Sequence, residues 1–218
     1  MILEPIHISF TGGTRGEFLG AAVFTAHFNR MPCYKISPNG KMRIRGEHLI
    51  TKEHKSVSGV DDTIDYPYFW EIPKQRFIET VTRKDAFIGL SHYAPELDQY
   101  EETFFKKDCF LVELLKTRPV IVIDHDDEDI PSIAMQSHLK NKHKSYEDLL
   151  ECKERKWLNI CKKYFDNFEY VQYKDITTKL PQVLETISKH TGVRLSYNDC
   201  TDLILNEYLE LNKKYKVE

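Results

Sequence analysis

Three stretches of this chain carry residues whose types and spacing suit chemistry. The first is Thr11-Gly12-Gly13-Thr14-Arg15-Gly16-Glu17, which joins an apolar run, Ile6 to Phe10, to a helical pattern at Phe18, Leu19, Ala22, Val23 and Ala26. A strand, a glycine-rich turn and a helix in that order aim backbone N–H groups and a helix N-terminus at one spot, which suits an anion, most often phosphate. Gly12, Gly13 and Gly16 let the backbone approach such an anion closely. Arg15 is the one cation in the turn and suits a forked pairing with sulfate or phosphate. The same residues also read as a ligand-free turn, with Thr14 and Glu17 as a capping box and Arg15 at the surface of the helix's first turn.

The second stretch ends at His92, which closes the buried run Asp85-Ala-Phe-Ile-Gly-Leu-Ser91. Open parallel sheets bind ligands at strand ends of this kind, and an imidazole there suits a general base that takes a hydroxyl proton. Capping of the following helix, or packing on Tyr93, is the alternative. The third stretch, Asp124-His-Asp-Asp-Glu-Asp129, gathers carboxylates around His125. Oxygen ligands of this type hold Mg²⁺ or another hard cation. The later acids equally favour the N-terminus of the next helix. That second reading is preferred, and no metal is expected. Lys41, Arg43 and Arg45 alternate along a short strand-like piece. They suit a solvated edge, or a supply of positive charge to the turn. Trp157, Cys161, Tyr164 and Phe165 fit a core-facing helical stripe.

The elements that must position these residues follow from periodicity. Strands are predicted at Ile6 to Phe10, Asp85 to Ser91, Arg118 to Asp124 and Glu169 to Tyr173. The near-continuous apolar run Val120 to Ile123 marks a central strand covered on both faces. Helices are predicted at Pro95 to Lys107, Asp129 to Lys140, Tyr146 to Phe165, Leu180 to Thr191 (stopped by Gly192) and Asp199 to Tyr215. Strands alternating with helices mean right-handed crossovers and a mostly parallel sheet, an α/β fold. The region from about Asn29 to Lys74 is rich in Pro, Gly, Asp and aromatic residues and reads as an irregular excursion decorating one domain that spans residues 1–218. Excursions of this length often carry substrate contacts.

Composition narrows the function classes. The formal charge of −3 at pH 7, with no block of like charge, argues against nucleic acid as a partner. The five cysteines are odd in number, widely spaced and without a Cys-x-x-Cys, which points to a reducing compartment and away from zinc. No stretch approaches the roughly 20 apolar residues of a membrane span, and no signal-peptide pattern opens the chain. The expectation is a cytoplasmic protein.

Four pieces, in this order, resemble the sulfotransferase superfamily. Gly12-Gly13-Thr14-Arg15 is similar to the phosphosulfate-binding loop Lys-Gly-Gly-Thr-Arg of the heparan-sulfate type. Phe87-Ile-Gly-Leu-Ser-His-Tyr-Ala-Pro95 resembles the strand ending in Lys-Thr-His-x-Pro that carries the family's base. Val120-Ile-Val-Ile-Asp-His-Asp-Asp-Glu-Asp129 sits where the family has a strand running into Arg-Asn/Asp-Pro-x-Asp. Tyr170-Val-Gln-Tyr-Lys-Asp-Ile176 with the helix from Leu180 resembles the C-terminal Tyr-Glu-Asp-Leu and its helix. The resemblance implies a P-loop-like α/β architecture and transfer of a sulfuryl group from 3′-phosphoadenosine 5′-phosphosulfate to a hydroxyl acceptor, a carbohydrate among the candidates. It implies His92 as base, with Arg15 beside the reacting group. The nucleotide contacts would then be Thr11, Gly12, Gly13, Thr14, Arg15, Gly16, Glu17, His125 and Ser132. Two cations of the pattern are absent. Thr11 replaces the loop lysine, and Asp124 or His125 stands where an arginine grips the 3′-phosphate. The family's serine after that arginine matches Ser132 when Asp124 is aligned with the arginine, and Ile133 when His125 is. These losses favour a rival of another class, a non-catalytic sulfotransferase-like domain that binds a nucleotide, a glycan or a protein. A third reading is a metal-dependent phosphotransferase using Asp124 to Asp129.

Overall fold

The computed structural model describes residues 6–11, 13–32, 34–36, 42–44, 49–52, 88–93, 119–140, 145–147 and 167–214. Among them, β1 (Ile6–Thr11) runs into α1 (Gly16–Phe28), followed by three short strands, β2 (Tyr34–Ile36), β3 (Met42–Ile44) and β4 (Leu49–Lys52). Then come β5 (Ile88–Tyr93), β6 (Val120–Asp124), a 3-10 turn at Asp127–Asp129 and α2 (Ile130–Lys140). The chain closes with β7 (Phe168–Gln172), α3 (Asp175–Thr178), α4 (Leu180–Thr191) and α5 (Asp199–Lys214). The helices expected at Pro95 to Lys107 and Tyr146 to Phe165, with the Trp157 stripe, lie outside the described residues or nearly so.

Five strands form one sheet in the order β4-β5-β1-β6-β7, and every pairing in it is parallel. The α/β class is therefore as expected. All five residues Ile6 to Phe10 are buried, as are Val120 to Asp124, the burial expected of central parallel strands covered on both faces. One expectation is corrected. Part of the Asn29 to Lys74 excursion does not decorate the core: Leu49–Lys52 pairs with Ile88–Ser91 as a strand of the main sheet. Four residues reading Leu-Ile-Thr-Lys are too few to show a strand period. Met42–Ile44 is a strand, paired antiparallel with Tyr34–Ile36 in a separate two-stranded sheet that sets Arg43 opposite Lys35.

The helices form for different local reasons. α1 is buried almost all round, from Gly16 to Ala26, because small residues at Gly20, Ala21, Ala22 and Ala26 let it lie close to its neighbours. It ends at Asn29, whose left-handed backbone (φ 50°) returns its N–H to the Thr25 carbonyl at 2.9 Å. α4 buries Leu180, Val183, Leu184 and Ile187 at helical spacing and stops at Gly192, φ 72°. α5 opens on Asn198, whose side-chain oxygen accepts the Thr201 N–H at 3.1 Å, and it buries Thr201, Ile204, Tyr208 and Asn212. Side chains from the sheet, α1, α4 and α5 join in one apolar core that includes Ile8, Phe18, Leu19, Ile121, Leu184 and Ile204. Among the described residues no helix is long and apolar enough to cross a membrane.

Candidate functional site

Parallel pairing puts the C-terminal ends of β1, β5, β6 and β7 on one edge of the sheet. The segments singled out from sequence all emerge there. The chain leaves β1 towards the β4 side of the sheet and leaves β6 towards β7, the opposite side. Such a divergence is the topological switch point at which open α/β sheets bind ligands.

The turn at the end of β1 is held by backbone conformation and packing. Gly13 has φ 90° and Arg15 φ 66°, both left-handed. Glycine adopts this region without strain, and arginine at some cost. Arg15, not Thr14, is the N-cap of α1, and it makes no side-chain cap bond. The N-cap therefore lies one residue later than the capping box read from Thr14 and Glu17 would place it. Thr14 is completely buried, and Glu17 stands, half-buried, in the first turn of α1. Gly16 has a packing reason for being glycine: a Cβ there would lie 2.2 Å from the Phe10 ring. This packing reason stands beside the expectation that Gly16 keeps space for an anion. Gly12 lies outside the described residues, and of Thr11 the structure gives the end of β1.

Arg15 is the hub of the site. Its Nη1 donates to the Tyr173 carbonyl at 3.0 Å and to Thr177 Oγ1 at 2.8 Å. The guanidinium carbon sits 4.0 Å from the centre of the Tyr173 ring, within cation–π range. Its Nε is buried without a hydrogen-bond partner. From α5, Tyr208 stacks on Phe18 with ring centres 4.2 Å apart. Burial pushes the Tyr208 phenol up to about 12, against the opposing pull of Arg15 and a hydrogen bond with Asn212. Arg15 is therefore no free surface arginine. One edge of its fork is tied to the end of β7 and to α3.

On one side of β1, Phe10 pairs in register with His92 and Thr11 with Tyr93, so the backbone of His92 runs beside the root of the turn. On the other side, Asp124 and His125 are each only 3% exposed. Asp124 accepts from Gln172 Nε2 at 3.3 Å, and its carbonyl accepts the Tyr173 N–H at 2.7 Å. With its proton on Nδ1, His125 donates to the Asp126 carbonyl at 3.3 Å. The Asp129 carboxylate accepts the Asp126 N–H at 3.1 Å, in capping-box fashion. Asp126 also pairs with Lys174 at 2.6 Å, and this carboxylate raises the lysine above its usual range. Asp126 and Asp129 of the acidic stretch thus serve the start of a helix. No group of three or more His, Cys, Asp or Glu that could hold a metal ion occurs among the described residues. Ser132, on α2, shares a 3.4 Å hydrogen bond with the Tyr173 hydroxyl.

Arg15, Ser132, Tyr173 and Thr177 are joined by direct contacts, while His92 and His125 flank the turn on neighbouring strands. Tyr173, Thr177 and Tyr208 were not among the residues expected from sequence. Tyr173 was within reach, because it opens the Tyr-Lys-Asp-Ile piece at the end of β7, whereas nothing local marks Thr177 or Tyr208 as partners of Arg15. No family model matches this chain, and no curated protein matches it.

Proposed function

We propose that this chain is a sulfotransferase-like protein that takes the phosphosulfate end of 3′-phosphoadenosine 5′-phosphosulfate at the Thr11 to Gly16 turn. The observation that carries the reading is the turn itself: left-handed backbone at Gly13 and Arg15 leading straight into α1, at the switch point of a parallel sheet. The left-handed backbone at Gly13 and Arg15 supports an oxyanion at the turn. The cations fit less well, since Thr11 brings no charge and Arg15 already binds Tyr173 and Thr177. The cosubstrate would supply an activated sulfuryl group for a hydroxyl acceptor, for which a carbohydrate is the proposed class. In this reading His92 takes the acceptor's proton, a role supported by its register beside Phe10.

The engagement of Arg15 favours a second reading, a domain that binds a nucleotide, a glycan or a protein without catalysis. One experiment tests the part common to the nucleotide readings. Adenosine 3′,5′-bisphosphate at 100 times its Kd should stabilise the native chain by about 2.7 kcal/mol. Gly13→Asp should abolish that gain by adding bulk and negative charge to a residue at φ 90°. A thermal shift that survives Gly13→Asp places the ligand elsewhere.

A further inference from the structure

Among the described residues β7 is the last strand of the sheet, with β6 on one side and no strand on the other. The Val120 N–H donates to the Asn167 carbonyl at 3.0 Å, and the Tyr173 N–H to the Asp124 carbonyl at 2.7 Å. Asn167 and Tyr173 thus direct backbone groups at β6. Alternate residues of a strand face the same neighbour, which turns Phe168, Tyr170 and Gln172 outward. Outward N–H and C=O groups on an open edge invite a strand from another chain. Tyr170, in the middle of β7, is 48% exposed, so this part of the edge is open to solvent. Its outward N–H is nevertheless taken, because Glu169 Oε1 accepts it at 2.9 Å. Water would satisfy an exposed N–H equally well, and folding the side chain back costs Glu169 some of its freedom. The rest of the strand, Phe168, Tyr170, Val171 and Gln172, is uncharged and includes strong strand formers.

We propose that Glu169 guards this edge against pairing with β7 of a second copy of the chain. Two identical edges related by a twofold axis meet antiparallel. Pairing that uses the outward groups of Phe168, Tyr170 and Gln172 sets the axis beside Tyr170. Each Tyr170 N–H would then have to reach the Tyr170 carbonyl of the other copy. The Glu169 carboxylate occupies that N–H in both copies and brings two negative charges to one short stretch of edge. Charged side chains keep sheet edges apart in this way, and Glu169 is the single charge in β7. The second copy is the partner that the edge must exclude, because its strand matches in sequence and length and is present wherever the protein is. The role is independent of any ligand at the turn.

The test is sedimentation velocity on the full chain over a wide range of protein concentration, with folding checked by circular dichroism. Glu169→Val removes the acceptor and suits a strand. Glu169→Ala removes it with a smaller change of propensity, should the valine variant fold poorly. Glu169→Gln keeps an acceptor oxygen. The valine or alanine variant should self-associate at least about tenfold more tightly than wild type, and the glutamine variant much less so. Tyr170→Pro removes the outward N–H without touching the β6 ladder, which an edge strand tolerates. Added to Glu169→Val or Glu169→Ala, it should return self-association to the wild-type level. That reversal separates edge pairing from aggregation of a damaged fold, which proline would not cure. Folded valine and alanine variants that associate no more than wild type overturn the proposal. So does association that survives Tyr170→Pro, or a glutamine variant that associates as strongly as valine. A wild-type chain that already dimerises, and that Tyr170→Pro makes monomeric, also overturns it, since the edge would then be unguarded.

Discussion

A Cβ built on Gly16 would lie 2.2 Å from the Phe10 ring, so a residue that reads in sequence as part of an anion cradle is also fixed by the packing of α1 on β1. Gly16→Ala gains about 1 kcal/mol of helix propensity but forces the ring aside, and overpacking costs about 1–3 kcal/mol. The packing effect should win. The net loss is up to about 2 kcal/mol, so the expected outcome is a melting temperature lower by up to about 8 °C at 2–4 °C per kcal/mol for a chain of this size. An unchanged or higher melting temperature would show that Phe10 yields freely and return Gly16 to the ligand. For His92 the expected effect is on rate: His92→Ala should lower sulfuryl transfer to a carbohydrate panel by about 10²–10⁴-fold and leave bisphosphate affinity intact. Equal losses of rate and affinity would make it a structural residue, and a wild-type chain that binds but never turns over would favour the non-catalytic reading. The sequence showed the turn because glycines and an arginine between a strand and a helix form a local signal. It did not show the hub, because the partners of Arg15 lie 158 and 162 residues away.

Elements were legible where their period was long or their ends were marked. The apolar run of β6 and the stripe of α4, closed by Gly192, were expected within a residue or so of their observed bounds. β4 was not, since Leu49–Lys52 is short, half polar and set in a stretch that reads as loop. The stripe of α5 was visible as amphipathic, but that one of its buried rings, Tyr208, reaches the site was not. This ring has a pH consequence. Burial raises its phenol to about 12 from an ordinary value of about 10. A group raised on folding contributes stability that is complete below its unfolded pKa and lost as pH climbs through the folded one. Wild type should therefore lose stability between about pH 10 and pH 12 relative to Tyr208→Phe, by an amount on the order of 3 kcal/mol. Urea unfolding of both proteins at pH 9, 10 and 11 reads this directly. Tyr197, also raised to about 12, is present in both proteins and cancels in the difference. A difference that stays constant across that range would mean that the Tyr208 phenol ionises as readily folded as unfolded.

At the scale of the whole molecule, the first strand of the sequence is the middle strand of the sheet, and the ends of β5, β6 and β7 gather beside it on one edge. That gathering brings acids as well as donors. Asp124 is buried beside Gln172, whose amide hydrogen-bonds one carboxylate oxygen at 3.3 Å. Lys174, two residues beyond Gln172, pairs with Asp126. The resemblance would align a 3′-phosphate with this corner, where the family holds an arginine. A carboxylate within a few ångströms of a phosphate costs on the order of 1–4 kcal/mol at effective dielectrics of 80 to 20. A 3′-phosphate should therefore add little here. Calorimetric titration at pH 7.5 should find adenosine 3′,5′-bisphosphate bound less than about tenfold more tightly than adenosine 5′-monophosphate, a gap of under about 1.4 kcal/mol. A larger preference would show that cations from elsewhere in the chain, Lys41, Arg43 or Arg45, replace the arginine, because nothing in the Asp124 to Asp129 stretch can attract a second phosphate so strongly. It would also shift the weight from a binding domain to an active sulfotransferase, since a site that pulls in both phosphates holds the cosubstrate in one register against His92.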